Sequence, residues 1–119
     1  MKYKLNTLIG KITEADCEEV LAQLPDKCVD LVLADPPYGI GADVAASKNN
    51  GKWGWKYHGE TNWDSATPSA NAFKEIRRVS KNQIVWGGNY FTDYLPPSMG
   101  WIVWDKGQRN FSLADGELA

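Results

Sequence analysis

The chain has few of the residues and segments that would place it outside the cytoplasm. It has two cysteines, Cys17 and Cys28, which we interpret as reduced thiols rather than as a disulfide framework. It has one histidine, His58, with no set of metal ligands around it. No stretch approaches the roughly 18 apolar residues of a membrane span, and the polar N-terminus lacks a signal-peptide core. The sequence therefore predicts a cytoplasmic protein without a metal site.

The chain also lacks an excess of positive charge. Its net charge is −2, and its isoelectric point is near 5.3, which argues against a free-standing nucleic-acid binder. An enzyme that contacts nucleic acid through a local patch is not excluded. The 119 residues form one domain by length, with an ordinary hydrophobic content of 43% and a high tryptophan count of six.

The most informative segment is an apolar run that ends abruptly in an acid, two prolines and a tyrosine. The run, Val29–Ala34, is short and rich in branched residues, which is typical of a buried strand. Two prolines cannot continue a strand ladder, so the strand must stop there. Asp35 and Tyr38 are therefore expected at the carboxyl end of a central strand, where open α/β sheets bind their ligands.

These residue types suit chemistry on an exocyclic amino group such as N6 of adenine. The ring withdraws the nitrogen lone pair, and two acceptors for its N–H groups would return electron density to it. The Asp35 carboxylate and the Pro36 carbonyl are such acceptors, and Tyr38 offers a ring face for the base. Methyl transfer is an in-line displacement, so positioning can supply most of the acceleration. A base in a duplex must first be flipped out.

The tetrad Asp35-Pro36-Pro37-Tyr38 resembles the catalytic motif of the DNA amino-methyltransferases, which use S-adenosylmethionine. Aspartate in first place resembles the N6-adenine enzymes, because the N4-cytosine enzymes more often carry serine and some RNA and protein enzymes carry asparagine. The resemblance continues in the same order along the chain, in 15–26, 29–31, 63–64, 84–91, 101–106 and 111–117. It implies a partial Rossmann-like α/β fold, a mostly parallel sheet with flanking helices, and double-stranded DNA with a flipped adenine as substrate. Such enzymes point to a restriction-modification or phage origin.

The family's glycine-rich cofactor loop is missing from this sequence. Gly39-Ile40-Gly41 is the nearest candidate, but it follows the prolines and opens no obvious helix. In the subclass whose catalytic strand comes first, that loop lies in the C-terminal half, so the chain resembles the N-terminal half only. Without the strand that carries the loop, Val29–Ala34 would have an exposed apolar edge. A second copy, the missing half as another chain, or a rearranged sheet is expected to stabilise it.

The resemblance also implies cofactor contacts and a DNA contact. In the family, an acid at the position of Asp16 and the next backbone N–H, here Cys17, bind the adenine of the cofactor, beside the catalytic Asp35. Asp16 is also a helix cap. Residues 39–66 form a long loop that is either DNA-facing or disordered. Its interleaved basic and aromatic side chains suit a flipped or single-stranded base; they are Lys48, Lys52, Trp53, Trp55, Lys56 and Tyr57.

The remaining pattern alternates strands with helices. We expect short strands within Lys4–Thr13, a helix after Asp16, and a helix capped by Thr67 that buries Ala70, Phe73, Ile76 and Val79. The other predicted elements are strand Gln83–Trp86, a short helix near Tyr90–Tyr94, strand Trp101–Trp104 and a strand from Phe111. Three tryptophans are expected in the core: Trp86, Trp101 and Trp104. The basic residues Lys74, Arg77, Arg78 and Lys81 are expected on a solvated face.

Three other functions remain open. The chain could be an inactive fragment or a partner-binding remnant of such an enzyme, which predicts no cofactor binding. It could be an RNA or N4-cytosine methyltransferase of the same fold. A Trp-rich carbohydrate-binding module would instead expose Trp86, Trp101 and Trp104 on one sheet face.

Overall fold

The structure, a computed structural model, describes residues 2–42, 62–107 and 116–119. It is an α/β arrangement in which two helices accompany a small parallel sheet. The elements are α1 (Leu5–Leu8), α2 (Cys17–Leu21), β1 (Val29–Ala34), α3 (Ala70–Val79), β2 (Ser80–Val85), a 3₁₀ turn (Gly88–Tyr90), β3 (Val103–Asp105) and β4 (Gly116–Leu118). No helix among the described residues is long and apolar enough to cross a membrane.

Strand β1 has the predicted bounds and pairs in parallel with β2, with Leu31 opposite Asn82 and Ala34 opposite Val85. The second sheet is a small antiparallel pair of β3 and β4. Within the described residues the larger sheet is parallel, as expected, but it has only two strands. Strand β3 does not join β2 and pairs with the C-terminal β4 in a separate sheet. The α/β class with a small parallel sheet is compatible with part of a Rossmann-like fold.

The two longer helices begin at the edge of the sheet where β1 and β2 end. Phe73, near the start of α3, packs in one cluster with Val85 at the end of β2, so this helix runs opposite to the strand that follows it. The Glu18 carboxylate joins both helix starts by accepting hydrogen bonds from Ser69 and Asn71. Asp35 follows β1 at this same edge.

At the C-terminal ends of α2 and α3, two basic side chains donate hydrogen bonds to backbone carbonyls. Arg78 donates to the carbonyls of Leu21 and Leu24 at 2.8 Å, after the last turn of α2. Lys27 donates to the carbonyls of Arg77 and Ser80 at 2.8 and 2.9 Å, at the end of α3. Carbonyls at a helix end have no partner within the helix, so these cations satisfy them. The prediction that Arg77 and Arg78 lie on a solvated face is wrong, because both donate to backbone carbonyls of other segments. Arg77 donates to the carbonyl of Tyr94.

Helix α1 and the start of α3 differ from what the sequence predicted. The strands predicted within Lys4–Thr13 are instead the helix α1, closed locally by hydrogen bonds between Lys4 and Thr7. Ser69, not Thr67, caps α3, because the Ser69 hydroxyl accepts from the amide of Ala72. Ala72 is buried in this helix, whereas Ala70, which was predicted on the buried face, is exposed.

The C-terminal elements also shift. Strand β2 begins at Ser80 rather than Gln83, because Ser80 is already extended, and the helix predicted near Tyr90–Tyr94 is only the 3₁₀ turn at Gly88–Tyr90. Strand β3 begins two residues later than expected and ends one residue later. The strand predicted from Phe111 begins outside the described residues, and β4 follows at Gly116.

The buried core is small and aromatic. Phe73, Val85 and Phe91 form its centre, and the Phe73 ring lies 5.0 Å from that of Phe91. The core positions predicted for Trp101 and Trp104 are wrong, since these side chains are 40% and 50% exposed. Trp101 precedes the short β3 and Trp104 lies within it, and within the described residues the main contact of β3 is with β4.

The face of β1 that carries Leu31 and Leu33 is uncovered. These side chains are 49% and 66% exposed within the described structure. Helix α3 packs on the other face, where Val85 is buried, and α2 packs against α3. The sequence predicted an uncovered edge of β1, and among the described residues this strand pairs only with β2. The exposed apolar face is a separate finding that the sequence did not predict.

Candidate active site

Asp35 is exposed and directly follows β1, and its carboxylate Oδ1 accepts a hydrogen bond of 2.8 Å from the Tyr38 hydroxyl. Pro36 and Pro37 lie between them, half-buried. The fixed φ of each proline ends the strand and turns the chain, which brings the side chains three residues apart into contact. The tetrad is therefore a closed local unit at the carboxyl edge of the sheet.

The Tyr38 ring lies in an aromatic setting that belongs to the core. Tyr90 stacks on it with ring centres 4.8 Å apart and planes 16° apart, and Phe91 meets it edge-on at 6.0 Å. Burial, followed by the hydrogen bond to Asp35, raises the pKa of Tyr38 well above its ordinary value. The hydroxyl therefore stays protonated at neutral pH and remains a donor to Asp35.

Gly87 makes room for this ring. It has a φ of +75°, a conformation that favours glycine, and it begins the turn that carries Tyr90. A Cβ added at Gly87 would lie 2.7 Å from Cζ and 2.8 Å from Cδ1 of Tyr38, and closer still to Cε1. The position therefore requires glycine for both its backbone conformation and its close approach.

We expect Gly87→Ala to destabilise the chain more than Gly10→Ala. Both glycines have positive φ, so each substitution costs about 1–2 kcal/mol of backbone strain. At Gly10 nothing lies within 4 Å of an added Cβ, whereas at Gly87 the clash with Tyr38 adds about 1–3 kcal/mol. Urea unfolding of both variants measures the difference. Equal losses in the two variants would show that Gly87 does not touch Tyr38.

Asp64 holds the segment that follows the tetrad. Its side chain is buried, at 1% exposure, and its two carboxylate oxygens accept the amides of Gly39 at 2.8 Å and Ala42 at 2.7 Å. Its own carbonyl accepts the amide of Gly41 at 3.0 Å. A buried carboxylate needs such donors, and here they come from residues directly after Tyr38. Asp64 therefore sets the path by which the chain leaves the site.

We expect Asp64→Asn to lower the free energy of unfolding by about 1–3 kcal/mol. The asparagine amide group has one acceptor oxygen, so its nitrogen would face one of the two backbone N–H donors. Chemical unfolding of Asp64→Asn beside Asp93→Asn, which changes an exposed carboxylate, provides the comparison. A loss no greater than that of the control would mean that the two amide contacts contribute nothing.

A second carboxylate reaches Tyr38 from the antiparallel sheet. Glu117 Oε2 lies 3.4 Å from the Tyr38 hydroxyl, and Glu117 Oε1 accepts a 2.6 Å hydrogen bond from Lys106. This ion pair is largely buried, with side chains 11% and 18% exposed. The Lys106 ammonium also lies 5.2 Å from the ring centre of Trp104, a cation–π contact. The order along the site is therefore Asp35, Tyr38, Glu117, Lys106.

The predicted cofactor residues lie at the start of α2. Asp16 caps the helix as expected, with Oδ1 accepting the amides of Glu18 and Glu19 at 2.8 and 3.1 Å. Cys17 is the first residue of the helix and is exposed. Helix α2 begins near the carboxyl end of β1, so Asp16 and Cys17 lie at the same end of the sheet as Asp35. Among the described residues, no hydrogen bond joins either of them to Asp35.

The residues predicted to bind DNA lie outside the described residues: Lys48, Lys52, Trp53, Trp55, Lys56 and Tyr57. A cleft of about 200 Å³ lies elsewhere, lined by residues that include Phe73, Arg77, Leu95 and Trp101. Neither Asp35 nor Tyr38 lines this cleft, so it does not belong to the tetrad.

Four contacts around the site were not predicted from the sequence: those of Gly87, Tyr90 and Glu117 with Tyr38, and that of Asp64 with the segment after Tyr38. Only Gly87 left a usable signal, since a Gly-Gly pair after a strand favours a turn with positive φ. Asp64 is 25 residues from Gly39, and Glu117 is 79 residues from Tyr38. No local pattern distinguishes them from solvated acids.

Comparison with known proteins gives one partial similarity. A stretch of 51 residues is 35% identical to the Type II methyltransferase M.HinfI of Haemophilus influenzae. It covers 43% of this chain and 14% of that protein, so the chain matches only a small part of its relative. No protein-family model and no solved structure matches the chain. The similarity supports a methyltransferase family and does not decide the subclass.

Proposed function

We propose that the chain is the catalytic part of a DNA adenine-N6 methyltransferase, which moves a methyl group from S-adenosylmethionine to a flipped adenine in double-stranded DNA. The observation that carries the proposal is the tetrad itself: an exposed carboxylate, Asp35, held by Tyr38 at the carboxyl edge of a parallel sheet. The partial similarity to a Type II methyltransferase supports the reaction class.

In this proposal Asp35 and the carbonyl of Pro36 accept the two N–H groups of the adenine amino nitrogen. Each acceptor opposes withdrawal of the lone pair into the ring, and each fixes the nitrogen for in-line attack. Pro37 has no backbone donor and a fixed φ, so it keeps the Pro36 carbonyl in a constant orientation. The carboxylate is exposed and can therefore be reached by a base that has left the duplex.

Tyr38 provides the stacking surface. Tyr90 already covers one face of its ring at 4.8 Å, so a flipped adenine would use the opposite face. The stack with Tyr90 and the hydrogen bond to Asp35 hold the ring before the base arrives, which lowers the entropy lost on binding.

Asp16 and Cys17 fit the adenine end of S-adenosylmethionine. When bound, this cofactor supplies an electrophilic methyl group. Asp16 uses Oδ1 for its helix cap, and among the described residues nothing donates to Oδ2. The Cys17 amide has no acceptor within the described chain. An acceptor beside a donor complements the amino group and ring nitrogen of the adenine in the cofactor. Asp35 borders the same edge, and the methionine end needs residues that this sequence does not contain.

DNA would approach from the loop side in this proposal, towards the basic and aromatic residues of 48–57. The uncovered face at Leu31 and Leu33 would be closed by the missing half of the enzyme or by a second copy. Either would bury apolar surface that the described chain leaves exposed.

The test is binding followed by transfer. S-adenosylmethionine is titrated into the purified chain in a calorimeter, and the chain is then incubated with DNA and cofactor carrying a labelled methyl group. Saturable micromolar binding, with label recovered as N6-methyladenine after digestion of the DNA to nucleosides, would support the proposal. Label recovered as N4-methylcytosine would replace the adenine assignment, and no label from a folded, cofactor-binding chain would refute the proposal.

The second candidate is a partner-binding remnant without activity. The exposed side chains of Leu31 and Leu33 favour it, because a bare apolar strand face suits a protein partner. A folded chain that binds no cofactor in the same titration would support this alternative.

A further inference from the structure

The hydroxyl of Tyr38 lies between two carboxylates but has only one proton to donate. It donates to Asp35 Oδ1 at 2.8 Å, and Glu117 Oε2 lies 3.4 Å away on the other side. An unpaired carboxylate in a half-buried site is costly, and Glu117 avoids this cost through its 2.6 Å bond to Lys106. Among the described residues, Asp35 and Glu117 are the charged groups that face the hydroxyl, with Lys106 behind Glu117.

This arrangement affects how the Asp35 carboxylate can accept hydrogen bonds from a substrate. While Tyr38 donates to Asp35, one of the two carboxylate oxygens is occupied. A substrate amino group that takes this oxygen would displace the Tyr38 hydroxyl, which would then need another acceptor in a partly buried site. Glu117 Oε2 is the acceptor that the structure offers, and closing the gap requires movement of only a few tenths of an ångström.

We propose that Glu117 is a positioning residue for the reaction: it accepts the Tyr38 hydrogen bond when Asp35 turns to the substrate amino group, and Lys106 holds Glu117 in place. The inference rests on the proposed function, because that function supplies the substrate amino group to which Asp35 would turn. The exchange of the hydrogen bond from Asp35 to Glu117 is a property of this chain and can be measured without catalysis.

The first test follows Tyr38 in the isolated chain. Tyrosine is replaced biosynthetically by fluorotyrosine, and the fluorine resonance of residue 38 is assigned by its loss in Tyr38→Phe. We expect Glu117→Gln to raise the acid dissociation constant of Tyr38, because a negative charge near the hydroxyl is removed. In an Asp35→Ala background, where the hydroxyl has moved to Glu117, the same substitution should raise this constant by about tenfold. Asp30→Asn removes a carboxylate paired with Lys81 on the surface and should change nothing. If Glu117→Gln changes the acid dissociation constant of Tyr38 no more in the Asp35→Ala background than in the unchanged chain, the proposed exchange of the hydrogen bond is refuted.

The second test asks whether the exchange serves methyl transfer. We expect Glu117→Gln to raise the KM for DNA or to lower kcat by about tenfold. In this variant the Tyr38 hydroxyl would stay on the Asp35 carboxylate and compete with the substrate amino group. The same substitution in a Tyr38→Phe background should then have no effect, because no hydroxyl remains to be moved. Lys106→Arg should keep activity, and Lys106→Met should lose it as Glu117→Gln does. A loss that persists in Tyr38→Phe would mean that Glu117 acts only through the fold.

The two tests separate the two proposals. A chain in which the fluorine signal shows the exchange but no DNA is methylated would refute the proposed function and leave the Glu117 contact established. A chain that methylates DNA with no coupling between Glu117 and Tyr38 would keep the function and refute this inference.

Discussion

Replacing Asp35 with alanine is expected to reduce methyl transfer to DNA by about a hundredfold or more, with little change in stability. The side chain is exposed, and its one described hydrogen bond joins it to Tyr38, so few packing contacts are lost. The substitution removes the acceptor that would hold the amino group and return electron density to its nitrogen. Initial rates with labelled S-adenosylmethionine, measured with DNA in excess, determine the loss.

Asp30→Ala is the matched control for this substitution. Asp30 is an exposed acid at the other end of the same strand, paired with Lys81 on the surface, and it should leave the rate unchanged. Asp35→Asn retains one acceptor oxygen and should keep more activity than Asp35→Ala. Equal rates for Asp35→Ala and the unchanged chain would exclude Asp35 as the acceptor.

Replacing Phe73 with alanine is expected to lower the free energy of unfolding by about 3–5 kcal/mol. Phe73 is 1% exposed, and its ring lies 5.0 Å from that of Phe91 and 5.4 Å from that of Tyr94. Since a domain is stable by only about 5–15 kcal/mol, this loss is a large share of the total. Urea unfolding followed by circular dichroism measures the shift in midpoint.

Met99→Ala is the control for the core substitution. This methionine is fully exposed, and its removal should change stability by no more than about 0.5 kcal/mol. The loss at Phe73 should also loosen Tyr38, because Phe91 contacts both rings. A Phe73→Ala chain as stable as Met99→Ala would mean that the aromatic cluster is not the core.

The exposed face of β1 connects the fold with the proposed function. Leu31 and Leu33 lie on the strand that delivers Asp35, yet no described element covers them. The sequence analysis expected an uncovered edge of β1, and among the described residues β1 pairs only with β2; the exposed face was not predicted. The matched stretch covers 14% of the methyltransferase that the chain resembles in part.

The elements that could be predicted from the sequence are those set by local chemistry. Strand β1 has the predicted bounds because two prolines cannot continue a ladder, and Asp16 caps α2 because its carboxylate reaches the first amides of the helix. Predictions failed where two neighbouring residues could both serve, as when Ser69 rather than Thr67 capped α3. They also failed for Trp101 and Trp104, because burial depends on what packs above a side chain and not on its hydrophobicity.

By itself, the sequence determined that an acid, two prolines and a tyrosine follow a strand, since steric limits at proline act over a few residues. Only the tertiary structure decided what surrounds them. Asp64 reaches Gly39 across 25 positions, and Glu117 reaches Tyr38 across 79. Contacts at such separations depend on how helices and strands pack, and a buried carboxylate has the same local sequence pattern as a solvated one. The tetrad is therefore encoded locally, whereas its hydrogen-bond partners and the exchange proposed for Glu117 arise only from the fold.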